Sequence, residues 1–250
     1  MYDSTLSGGA FADTLGVLDD RVQLTVGARY QQVKSGNYSA TTGVQTASYN
    51  ESAVTPLAGV VFKPWDRVSF YANYVEGLSK GDIAPGTASN AGQVLAPYKT
   101  KQQEVGVKFD SVKLLATLAA LRMSKPSGQL FGTVYAIDSE QRNQGLEFTL
   151  SGEAYRGVRV LGGVTLPDGE LTKTNSAATR GSRPVGVPTV MANVSGEWDL
   201  PRLPGLTLTG AVNYTGREYV DQMNPKAVSS WATVEFEWRA VFRAGPYALP

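Results

Sequence analysis

The 250-residue chain holds no cysteine and no histidine, so thiol nucleophiles, histidine bases and the commonest zinc ligands are missing from its chemistry. Its carboxylates do not gather. Asp19, Asp20, Asp66 and Asp110 sit at turn signals, where an aspartate commonly serves the backbone, while Glu104, Glu147, Glu197 and Glu235 are spread over separate extended runs. No catalytic centre, metal site or cofactor is expected. Gly162-Gly163 is no phosphate cradle, because it lies inside an extended run with no helix after it. Glycines there serve close approach of a neighbouring backbone instead. The triplets beginning at Asn37, Asn50, Asn193 and Asn213 match the glycosylation pattern, but two of them lie mid-strand and read as chance. What remains are groups that could hold a ligand. Tyr38, Tyr49, Tyr98, Phe131, Tyr135, Tyr219 and Trp231 offer ring faces, and Arg180 and Arg183 offer cations. The plainer role of each aromatic is loop packing, or a ring at a membrane interface.

The elements that must position these residues are strands. In 95–125, LAPYKTKQQEVGVKFDSVKLLATLAALRMSK, two alternating runs meet at Asp110-Ser111. Val105, Val107 and Phe109 fall on one side and Glu104, Gly106 and Lys108 on the other. Leu114, Ala116, Leu118 and Ala120 continue the apolar phase, which makes the unit an antiparallel hairpin. The unit recurs along the chain. Val22, Leu24, Val26, Ala28 and Tyr30 alternate against Arg21, Gln23, Thr25, Gly27 and Arg29, and Val234, Phe236, Trp238, Ala240 and Phe242 against Thr233, Glu235, Glu237, Arg239 and Arg243. Residues 4–17 are weakly patterned. About eleven strands are predicted in all.

The connections alternate as well. Tight turns at 19–20, 64–66, 110–111, 154–157 and 199–205 alternate with polar tracts at 35–50, 77–97, 124–137, 172–184 and 216–229, read as loops of a dozen residues or more. Short turns at one end and long loops at the other are the habit of transmembrane β-barrels. No run of 18 or more apolar residues is present, so no helix spans a membrane, whereas a barrel strand needs only about 9–11 residues with one apolar side. The N-terminus lacks a signal-peptide pattern, and the net charge of +1 argues against nucleic acid as a partner. Trp65, Phe109, Tyr155, Trp198 and Trp231 lie near strand ends, as interfacial rings do. A soluble β-rich binding module also alternates, but sandwich strands are shorter, typically about 5–6 residues. The reading is therefore all-β: an antiparallel up-and-down transmembrane barrel segment, facing outer-membrane lipid, with residues 1–250 as one partial domain.

Six stretches, taken in order, resemble the C-terminal half of the barrel of TonB-dependent siderophore receptors. They are DRVQLTVGARY at 20–30, PWDRVSFYANYVEGL at 64–78, APGTASNAGQVLAPYKTKQQEVGVKFD at 84–110, QRNQGLEFTLSGE at 141–153, RPVGVP at 183–188 and LPGLTLTGAVNYTGREYVD at 203–221. The resemblance implies a monomeric outer-membrane transporter for ferric siderophores. In that family a large barrel, 22-stranded in plugged transporters, surrounds an N-terminal plug, and TonB couples energy to uptake. Arg180 and Arg183 would then meet an anionic chelate. The sequence departs from the family in carrying neither plug nor TonB-binding element, about half the strands, and no closing strands after Arg243. The expectation is a barrel portion that does not perform TonB-coupled uptake by itself. A smaller self-contained pore is the second reading. Met123, Pro167, Met223 and the charged phase of WATVEFEWRAVF also depart from the family pattern.

Overall fold

The computed structural model describes residues 2–241. Its elements in chain order are β1 (Tyr2–Val17), β2 (Val22–Tyr38), β3 (Gln45–Trp65), β4 (Val68–Ser79), β5 (Tyr98–Asp110), β6 (Leu114–Phe131), β7 (Val134–Tyr155), β8 (Val158–Lys173), β9 (Met191–Asp199), β10 (Leu206–Thr215), β11 (Glu218–Tyr219), β12 (Ala227–Val228) and β13 (Trp231–Ala240). Eleven of them form one antiparallel sheet in which sequence neighbours are sheet neighbours, from β1 through β10 and then β13; β11 and β12 make a separate two-stranded ladder. The expected extension of the last strand to Phe242 and Arg243 lies outside the described residues.

Directly paired residues share a side of the sheet, and the register joins the apolar phases strand by strand. Leu15 pairs with Leu24, and Leu24 with Val60. Phe70 pairs with Val107, Val107 with Leu118, and Leu118 with Phe148. Val194 pairs with Val212, and Val212 with Val234. One side is thus an apolar face running across the sheet. The other carries Arg29, Glu104, Lys108, Glu147, Arg159, Glu197 and Glu235.

Burial on these two faces is inverted relative to a water-soluble domain. On the polar face Gln31 is 5% and Thr55 2% exposed, whereas on the apolar face Leu24, Phe148 and Leu208 are 44%, 44% and 39% exposed. No second sheet covers the apolar side among the described residues. A sandwich would bury that face between layers, so the soluble-module reading fails here. β1 and β13 do not pair with one another. The sheet is not closed, contrary to a self-contained smaller barrel.

Two of the five tracts read as long loops are mostly strand. Residues 35–50 contain the ends of β2 and β3, leaving only 39–44 as connection, and 124–137 hold the paired ends of β6 and β7, joined at Gly132-Thr133. The physical reason is that alternation marks a strand only where its two faces meet different surroundings; where both faces carry polar residues it vanishes while backbone pairing continues. Genuine long connections remain at 80–97, 174–190 and 216–230. The weakly patterned residues 4–17 are a full strand, β1, paired along its length with β2. Trp65, Phe109, Tyr155 and Trp198 lie exposed at the short-turn end, joined by Trp238. Trp231 does not belong with them: it pairs with Thr215 at the opposite end, in the phase of Thr233 and Glu235.

The departures noted in sequence have local accounts where the structure supplies one. Pro167 lies in β8 beyond Thr165, the last residue of β8 that pairs with β9, and its carbonyl accepts a hydrogen bond from Arg183 at 3.0 Å. Its missing N–H therefore costs no ladder bond. Gly162 is required by close approach, since a Cβ there would stand 2.7 Å from the Asn193 carbonyl oxygen. Nothing in the structure explains Met123 or Met223.

Candidate ligand-binding face

At the long-loop end, on the polar side, two clusters form. The first ties down residues 80–97. The Tyr49 hydroxyl accepts the Gly81 N–H at 2.9 Å, and the Lys80 ammonium stands 5.4 Å from the Tyr49 ring centre and 5.5 Å from that of Tyr2. Tyr98 and Tyr135 both donate their hydroxyls to one carboxylate oxygen of Asp82, at 2.6 and 2.7 Å. Asn90 clasps the Tyr135 backbone, accepting its N–H and donating to its carbonyl, each at 2.9 Å. The Ser89 amide reaches the Thr133 carbonyl at 2.7 Å. Through these contacts the loop is pinned to β3, β5 and the β6–β7 tip.

These phenols lie beyond the apolar band, and their acidities follow from their surroundings. Burial first, and then donation to Asp82, push Tyr98 up and Tyr135 up to about 12. Burial also raises Tyr49, partly countered by the Gly81 amide. All three phenols stay protonated near neutral pH and act as donors or acceptors, not as bases.

The second cluster joins 174–190 to 216–230. Arg183 donates to the Pro167 and Pro188 carbonyls at 3.0 and 3.3 Å. The Asn224 side chain accepts the Arg183 N–H at 2.8 Å and donates to its carbonyl at 2.9 Å. The Tyr219 carbonyl accepts the Gly186 N–H at 3.1 Å, and the Arg217 guanidinium lies 5.3 Å over the Tyr219 ring. Asn224 holds φ at 62°, a conformation asparagine tolerates better than most residues.

The sequence-predicted residues therefore separate. Tyr49, Tyr98 and Tyr135 come together around one loop, and Tyr49 and Tyr98 are buried. Arg183 and Tyr219 meet in the other cluster. Tyr38 and Phe131 are half-buried at strand ends, while Arg180 and Trp231 are exposed. Sequence reasoning missed Lys80, Asp82, Asn90, Arg217 and Asn224. Asp82 lies 16 residues from one phenol and 53 from the other, inside GDIAPGTASN, where no periodic signal exists to mark it. No cluster of metal-ligating side chains occurs among the described residues. The arrangement can position loops and offer cations and ring faces to a bound anion.

The profile of the family described as TonB dependent receptor-like, beta-barrel, matches residues 2–241. The chain belongs to that family. As a TonB-dependent receptor barrel it is 36% identical over 236 residues to the ferrichrome receptor FcuA of Yersinia enterocolitica, covering 92% of this chain and 31% of FcuA. It is 28% identical to the ferrichrome outer membrane transporter/phage receptor of Escherichia coli, covering 86% of the chain and 29% of the transporter. Among solved structures, the ferric preacinetobactin receptor BauA of Acinetobacter baumannii superposes with a TM-score of 0.84 at 40% identity, over 95% of this chain and 36% of BauA. The chain thus spans about a third of the length of the relatives it matches. It is a portion of an outer-membrane β-barrel.

Proposed function

We propose that this receptor barrel forms part of the wall and part of the extracellular ligand vestibule of an outer-membrane transporter for ferric siderophores. The observation that carries the reading is the inverted burial of the sheet joined to the family match: a wall that faces lipid outside, is polar inside, and bears tied-down loops at one end. In this reading Tyr49, Tyr98, Tyr135, Arg183 and Tyr219 set loop positions. Tyr38, Phe131, Arg180 and Trp231, with Lys80 and Arg217, present rings and cations to the anionic iron chelate. Support for a ferric siderophore comes from two relatives, FcuA being a ferrichrome receptor and BauA a ferric preacinetobactin receptor. A plug against the polar face and TonB as energy source are the partners that the family suggests. The segment by itself would not carry out coupled uptake, because its wall has two unpaired edges.

The test uses the full receptor in detergent, titrated with iron-loaded ferrichrome and with iron-loaded preacinetobactin while intrinsic tryptophan fluorescence is followed. One complex should quench saturably. Replacing Arg180 with Ala should weaken binding about tenfold, the scale of one charge-assisted contact. If folded receptor fails to bind any ferric chelate from hydroxamate and catecholate panels, the reading is wrong.

A further inference from the structure

Leu130 and Tyr135 face each other across the tip of the β6–β7 hairpin. In an antiparallel ladder such a pair either exchanges hydrogen bonds or turns its backbone groups to the two outer edges. This pair turns outward, and each edge is taken by a different connection. On the β7 edge, Asn90 of the 80–97 connection holds the Tyr135 N–H and carbonyl, each at 2.9 Å. On the β6 edge, the Asn175 side chain donates to the Leu130 carbonyl at 2.9 Å, while the Gln129 side-chain oxygen accepts the Asn175 N–H at 3.0 Å. Residues 174–190 are thereby joined to the same tip. A further carboxamide, that of Asn224, holds both backbone groups of Arg183 and so adds 216–230 to the series.

All these junctions share one chemistry. A carboxamide carries an acceptor and a pair of donors, so it can satisfy an N–H and a carbonyl of the neighbouring segment much as another strand would. The middle member of the series is stiff enough to pass a displacement along. Thr174 and Thr179 are 7% and 8% exposed, and their hydroxyls meet at 2.9 Å. The Leu171 N–H donates to the Ser182 carbonyl at 2.9 Å, and the Leu171 carbonyl accepts the Gly181 N–H at 3.0 Å. Residues 174–182 are therefore a folded turn fixed to the end of β8, with Asn175 held on one side of it and Arg183 on the other.

We infer that the β6–β7 tip is a strut through which 80–97, 174–190 and 216–230 open and close as one cap, with Asn90, Asn175 and Asn224 as its positioning residues. Connections fixed only to their own strands would open separately, each at its own cost. Here none of them lifts without breaking a bridge to the next. Contact with Arg217 in one connection then bears on Lys80 in another, with no need for those two side chains to meet. The coupling belongs to the loops themselves and is independent of which ligand the vestibule takes.

The experiment is hydrogen exchange read by mass spectrometry on the full receptor in detergent, with no ligand added. Protected amides of the three connections should show protection factors that agree within about tenfold, because they share one opening. Asn224→Asp keeps the size of the side chain and its tolerance of φ near 62°, but removes the donor to the Arg183 carbonyl. It should speed exchange in 80–97, two junctions away, by the same factor as in 216–230, about tenfold for one lost hydrogen bond. Amides of β6 and β7 below the tip should not change. Asn175→Asp should cut the series, so that in its background Asn224→Asp still speeds 174–190 but no longer reaches 80–97. Acceleration by Asn224→Asp that stays within 174–190 and 216–230 overturns the inference. Parent protection factors differing by more than about tenfold between 80–97 and 216–230 overturn it too, and that comparison needs no variant to fold. Chelate titrations of the parent are a separate readout, which separates failure of the cap from failure of the proposed function.

Discussion

Asp82 accepts two phenols on a single oxygen, and this small unit decides where an 18-residue connection rests. A carboxylate flanked by two protonated phenols is well satisfied, but each phenol becomes harder to ionise. The sign follows from linkage. With the folded pKa of Tyr135 raised from 10.0 to about 12, its contribution is fully present below about pH 10 and declines as pH climbs towards 12, because the folded state binds the proton more tightly over that window. Absorbance of phenolate near 295 nm should therefore show a late-titrating set of tyrosines that includes Tyr98 and Tyr135, and Asp82→Asn should shrink that set. A late-titrating fraction unchanged in Asp82→Asn would sink the assignment. Tyr98 is 6% exposed, so Tyr98→Phe removes a buried charge-assisted bond worth about 1.5–3 kcal/mol. Limited proteolysis within 80–97 should accelerate accordingly, with the barrel strands untouched. None of this was legible beforehand: the tyrosines could be picked out as rings in polar tracts, but their common partner is an aspartate in a stretch that reads only as breakers.

Strands, by contrast, were legible wherever lipid imposes contrast between faces. Leu24, Val26 and Ala28 announce β2, and Val234, Phe236 and Trp238 announce β13, because hydrocarbon on one side demands apolar side chains at every second place. The same logic explains the misses. Asp13, Gly9 and Ser7 pair with Val26, Tyr30 and Gln32, so β1 carries polar or small residues in its lipid-facing phase and its alternation is blurred. At 124–137 water meets both faces, and the strands lose their pattern while keeping their ladder. The face assignment makes a sharp prediction. Val234 is 57% exposed on the lipid side, so Val234→Arg should lower assembly stability by about 2–4 kcal/mol near the midplane. Thr209→Ser, on the polar side, should assemble like the parent. Heat-modified migration in SDS gels reads both, and a severe defect in Thr209→Ser with a silent Val234→Arg would reverse the faces. Gly152 offers an independent check at the turn end. Its φ is 130° and a Cβ would collide with the Lys113 carbonyl, so Gly152→Ala should cost about 1–3 kcal/mol by the same gel assay.

For the molecule as a whole, the decisive features are a sheet whose neighbours in space are neighbours in sequence and whose outermost strands each pair on one side only. Unpaired strand edges are not tolerated in hydrocarbon, so β1 and β13 must acquire partners wherever the wall is complete. The family fixes what kind of wall that is, and the one-third share of its relatives' length fixes how much of it is seen. Hydrogen exchange turns this into a measurable gradient. In a detergent-solubilised segment 2–241, amides of the central pair β6 and β7, linked from Leu114 with Gly152 to Phe131 with Val134, should exchange slowest. Those of β1 and β13 that point away from β2 and β10 should exchange at rates approaching those of open chain. In the intact receptor the gradient should disappear, because both edges are then laddered. Equal protection of β13 and β7 in the isolated segment would mean that the two edges had found each other. The chain would then be a small closed barrel, and the vestibule assigned to its loops would have to be rebuilt around a narrower pore.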